Sequence, residues 1–99
     1  MPSPQGKIQE FRVAAWTEVQ GLADAIAAAT IQDGTVHVQA IGDKATYRAI
    51  KAIAIARGRG AVSARNLVMW PGFRDVPNDD KRYEDAADRI TAMLLVVTL

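Results

Sequence analysis

Apolar positions along the chain fall into blocks of two periods. Residues 8–14 mix apolar and polar positions and read as a first strand. Val19, Leu22, Ala23, Ile26 and Thr30 follow at spacings of 3, 1, 3 and 4, the single buried stripe of an amphipathic helix. Thr17 and Gln20 fit a capping box, in which the Thr17 hydroxyl accepts from the Gln20 amide while Gln20 reaches back. Gly21 inside this helix costs about 1 kcal/mol relative to alanine, which predicts the close approach of another backbone. Asp33-Gly34 ends the unit in a turn.

Residues 35–41 alternate strictly, with Val36, Val38 and Ala40 on one face and His37, Gln39 and Ile41 on the other. Gly42-Asp43 then makes a tight strand-to-helix turn with Asp43 as the expected N-cap. A second helix is predicted over residues 44–57, stopped by Gly58-Arg59-Gly60. On a helical wheel, Thr46, Ile53 and Ala54 lie within roughly 60° of Ile50 and form the expected core stripe. Lys44, Arg48, Lys51 and Ile55 lie at roughly 100° to 160° from it, so Ile55 is an apolar contact candidate among three cations.

Residues 66–73 read as a third strand, and Pro71-Gly72 marks it as an edge, a bulge or an early exit. Residues 76–88 form a turn-rich connection, and residues 89–99 a last strand that is apolar on both parities. Such a strand is either central in a two-faced core or part of a subunit interface. Two helices cover only one face of a sheet, so the interface is favoured. Met93, Leu95 and Val97, with Ile55, are the predicted oligomer contacts. The element order β-α-β-α-β-β, with two right-handed crossovers and a closing hairpin, predicts a two-layer α/β (α+β) sandwich.

A chain of 99 residues is one domain, expected over residues 8–99 behind a flexible tail, residues 1–7. The absence of Cys excludes disulfides, thiolate metal sites, iron–sulfur clusters and Cys nucleophiles, and a single His excludes a multi-histidine centre within one chain. No metal or cofactor is expected. The start lacks a basic region followed by an apolar core, so no secretory leader is expected. The longest uncharged apolar stretch, residues 90–99, is half of the roughly 20 residues a bilayer span needs. A cytoplasmic location is the expectation.

The net charge of +1 conceals a segregation. Residues 44–74 carry Lys44, Arg48, Lys51, Arg57, Arg59, Arg65 and Arg74 and no acid. Residues 75–88 carry Asp75, Asp79, Asp80, Glu84, Asp85 and Asp88 against Lys81 and Arg82. Local potentials act over roughly 8 Å at physiological salt, so a nearly neutral chain can still present a charged face.

The chemistry follows from these positions. His37 has no flanking Ser or carboxylate motif, and a satisfied strand histidine explains it better than a catalytic role. The acids have no EF-hand spacing, and the glycines make neither a phosphate loop nor a dinucleotide fingerprint. The chain is therefore read as non-enzymatic. The seven cations of residues 44–74 can neutralise phosphates, with Trp70 and Phe73 either stacking on bases or packing in a core or dimer. No helix carries base-reading residues at a recognition spacing, so low sequence specificity is expected for DNA or RNA. The alternative is self-assembly through the same faces, basic surface against acidic connection.

Val38-Gln39-Ala40-Ile41-Gly42, then Tyr47-Arg48-Ala49-Ile50-Lys51-Ala52-Ile53-Ala54-Ile55-Ala56-Arg57-Gly58, then Leu67-Val68-Met69-Trp70-Pro71-Gly72-Phe73-Arg74-Asp75 resemble the stage V sporulation protein S family. The resemblance implies an Alba-like fold, a mixed four-stranded sheet with both helices on one face, usually dimeric or higher. It also implies nucleic-acid binding without catalysis. The chain departs from the family pattern in a short loop at residues 14–18 without a Lys, a long acidic connection at 76–88, and a more apolar last strand.

Overall fold

A computed structural model describes residues 8–78 and 89–99. The expected tail, residues 1–7, and most of the acidic connection, residues 79–88, lie outside the described residues. The order is β1 (Gln9–Val13), α1 (Val19–Asp33), β2 (Thr35–Ala40), α2 (Asp43–Ala56), a 3-10 turn (Gly60–Ala64), β3 (Val68–Pro77) and β4 (Arg89–Thr98). This is the β-α-β-α-β-β chain expected, folded as a mixed four-stranded sheet with two helices, an α+β fold.

The strands lie in the order β1-β2-β4-β3. β1 and β2 are parallel, which requires a crossover, and α1 supplies it. β4 inserts between β2 and β3 and runs antiparallel to both. β4 is thus central in the strand order, with Leu95 and Val97 under the helices and Leu94 and Val96 half-buried on the open face. β3 is an edge strand of ten residues, longer than expected, and the edge position is what tolerates Pro71.

Register assigns the faces. Val36 pairs with Val97 and Val38 with Leu95, and all four are fully buried beneath the helices. Leu22, Ala23, Ile26 and Thr30 of α1 close over them, as their spacing predicts. The buried Thr30 hydroxyl is satisfied locally, donating to the carbonyls of Ile26 (2.9 Å) and Ala27 (3.0 Å). Val62 and Leu67, flanking the end of the 3-10 turn, complete the same core.

Leu95 and Val97 are thus interior residues of one chain, and the expected oligomer contacts do not sit together on a surface. Ile55 is half-buried and packs against the core, and Met93 is half-buried on β4.

The second helix is rotated relative to expectation. Ala45, Ala49, Ala52, Ile53 and Ala56 form its buried face, whereas Ile50 is 43% exposed and Ala54 is exposed. The buried arc is centred roughly 115° from Ile50. α2 packs on the sheet and on α1 together. Its alanine face lets it approach both closely, because interaxial distance follows side-chain size at the contact.

Two caps also differ. Glu18, not Thr17, caps α1: its carboxylate accepts from the Gln20 and Gly21 amides, the latter at 2.9 Å. Thr17 Oγ1 accepts instead from the Ala14 amide at 2.8 Å, which holds the preceding loop. A Cβ at Gly21 would meet Glu18 Oε1 at 3.4 Å and no other element's backbone, so the close backbone approach expected there is not found. At α2 the N-cap is Gly42, at φ 89°, and Asp43 is the first helical residue.

Candidate nucleic-acid interface

The seven predicted cations separate into three groups. Lys44, Arg48 and Lys51 remain together, because positions three and four apart share one helix face. They line an open cleft of about 480 Å³ with Ala15, Val19, Asp43 and Tyr47. Ala15 comes from the loop after β1 and Val19 from the start of α1, so the cleft forms where that loop meets α2. Arg48 Nη1 donates to the Thr17 carbonyl at 3.2 Å, which ties the loop to the helix and holds the guanidinium in place. Lys44 and Lys51 are exposed and make no ion pair among the described residues. Asp43 is the one acid among the described residues of the cleft, and its Oδ1 accepts from the Lys44 amide at 3.1 Å.

Tyr47 is a member of this cleft that charge counting overlooks. It is 67% exposed, three residues after Lys44 and four before Lys51. On the expected wheel Tyr47 lies about 60° from Ile50, at the edge of the expected core stripe, and it is the alanine-faced orientation of α2 that turns it to solvent.

The second group is committed to internal structure. Arg74 Nη1 donates to Glu10 Oε1 at 2.7 Å and to Gln39 Oε1 at 3.0 Å, and Nη2 lies 3.5 Å from His37 Nδ1. These residues lie on the sheet face away from the helices. Arg59 Nε lies 3.3 Å from Asp24 Oδ1, and its Nη2 donates to Gln20 Oε1, which fastens the segment after α2 to α1. The third group, Arg57 and Arg65, is exposed beyond α2, with Arg57 Nη2 donating to Asn66 Oδ1 at 3.5 Å.

Trp70 and Phe73 do not join the cleft. Trp70, paired with Val96, is 53% exposed on the open sheet face, and Phe73, paired with Met93, is 78% exposed on the opposite side of the same edge strand. Neither packs in the core of the chain. Among the described residues, the side chain within hydrogen-bond reach of His37 is the Arg74 guanidinium, not a carboxylate or a nucleophile. Among the described residues no group of three or more His, Asp or Glu is placed to hold a metal ion, and no helix is long and apolar enough to cross a membrane.

The family model described as Stage V sporulation protein S (SpoVS) matches residues 9–98, from the first residue of β1 to the last of β4. The chain belongs to the stage V sporulation protein S family. The match spans the whole described fold, so the sheet, the cleft and the open sheet face all lie within the SpoVS region. It makes this a small sporulation-related protein of a family that is not a known enzyme family.

Proposed function

We propose that this SpoVS-family chain is a non-enzymatic, oligomeric cytoplasmic protein that binds nucleic acid through α2, with low sequence specificity and in a regulatory role. One observation carries the reading: Lys44, Arg48 and Lys51 converge on one cleft in which Asp43 is the only carboxylate among the described residues. Cations so placed release phosphate counterions, so affinity should fall steeply with salt. The same helix face carries no Asn or Gln to read base edges, which supports low specificity. The test is fluorescence anisotropy with labelled mixed-sequence oligonucleotides at low and physiological salt. Lys44→Glu with Lys51→Glu should abolish binding; no binding by the unaltered protein at low salt overturns the reading.

A second reading, self-association, is supported by the exposed Val68, Trp70 and Phe73 along the edge strand β3. A second copy of the chain is the partner it implies. Light scattering after size exclusion separates the two, since Trp70→Glu should lower the mass of an assembly and leave a purely phosphate-directed complex unchanged.

A further inference from the structure

The α2 cleft carries one feature that charge alone does not require. Phosphate neutralisation needs cations, yet this cleft also presents the Tyr47 ring, 67% exposed, between Lys44 and Lys51. An aromatic ring of this size left out of the core forfeits burial, while Ala45, Ala49, Ala52 and Ala56 fill the interior of the same helix. The ring and the ammonium groups stand at neighbouring positions, roughly 5–6 Å apart at Cβ. One nucleotide can therefore give its phosphate to a lysine and its base to the ring. The Arg48 guanidinium, tethered to the Thr17 carbonyl at 3.2 Å, adds a fixed charge on the loop side of the cleft.

We infer that the cleft is a site for single-stranded nucleic acid, with Lys44 and Lys51 holding phosphates and Tyr47 stacking on an unpaired base. This rests on the nucleic-acid reading above and narrows its ligand. A duplex keeps its bases stacked on one another and offers the ring no free face, whereas a single strand offers one at every residue. Stacking on an aromatic ring is tolerant of sequence, in keeping with a helix face that lacks base-reading side chains.

The test is anisotropy titration of a labelled mixed-sequence single strand of 20 nucleotides and of the matching duplex, with four proteins: unaltered, Tyr47→Phe, Tyr47→Ala, and Lys44→Glu with Lys51→Glu. The unaltered protein should prefer the single strand. Tyr47→Ala should weaken single-strand binding by about five- to a hundredfold and leave duplex binding little changed, and Tyr47→Phe should retain the unaltered affinity. Circular dichroism of Tyr47→Ala should match the unaltered protein, because the ring is outside the core. Duplex binding equal to or tighter than single-strand binding overturns the inference while leaving the broader reading in place, provided the double charge reversal abolishes both. Unchanged single-strand affinity in Tyr47→Ala overturns it likewise. Failure of the unaltered protein to bind either probe at low salt overturns both.

Discussion

Arg74 on β3 and Glu10 on β1 form an ion pair at 2.7 Å although their strands are the two opposite edges of the sheet. Three interstrand spacings of about 4.8 Å separate those edges, and the two long side chains together cover the distance. Ala92, directly opposite Arg74 on the intervening β4, is fully buried. The same guanidinium satisfies the amide oxygen of Gln39, a buried polar residue on β2. A cation of the basic segment is thus a clasp across the open sheet face.

Arg74→Ala should therefore destabilise the fold rather than weaken nucleic-acid binding. It leaves the Gln39 oxygen without its donor and Glu10 without its partner, a loss of about 1–3 kcal/mol. Urea denaturation should show a lower midpoint, while the salt dependence of binding stays as in the unaltered protein.

The cations of α2 should behave in the opposite way. Lys51→Gln should reduce the slope of log affinity against log salt by about 0.7 for a single strand. Arg59→Gln should change that slope less, because Arg59 is already paired with Asp24. Anisotropy titrations at four salt concentrations measure both slopes.

The rotation of α2 gives a paired stability prediction. Ile50→Ala should cost no more than about 1 kcal/mol, since the side chain is 43% exposed and alanine is the better helix former. Ala49→Leu inserts three carbons where there is no space and should cost about 1–3 kcal/mol or more. Had Ile50 been the centre of the buried stripe, the order would be reversed. Thermal unfolding of the two variants decides between the orientations.

At the start of α1, Glu18→Ala removes the acceptor for two helix amides and should cost about 0.5–2 kcal/mol. Glu18→Asp should recover most of this loss, because Asp is a preferred N-cap residue. Denaturant midpoints of the two variants provide the comparison.

Much of the fold was legible because it follows from local periodicity. The alternation of Val36, Val38 and Ala40 against His37 and Gln39 is realised on β2, and the α1 stripe from Leu22 to Thr30 is the one that is buried. Pro71-Gly72 allowed an edge, a bulge or an early exit, because proline has no amide to give a neighbour, and β3 is an edge. The last strand shows where such reasoning stops. Its two apolar parities allowed either a two-faced core or an interface, with the interface favoured, and no local period says which parity the helices cover. The helices lie over Leu95 and Val97, which are core.

The candidate site divides in the same manner. Lys44, Arg48 and Lys51 could be grouped from sequence because helical spacing alone brings them together. Arg59 and Arg74 could not be removed from the list, because their partners Asp24 and Glu10 lie far from them along the chain. Hydropathy also ranked Ile50 above Ala49 for the interior, a choice that ignores how little volume two helices and a sheet leave between them. The element order, the alternating faces of β2 and the basic run along α2 were decided by the sequence itself, since each depends on neighbours within one turn or one strand. Which side of α2 faces inward, and which arginines stay available to a ligand, were decided only by the tertiary structure. Packing volume and ion pairing join residues that no local period relates.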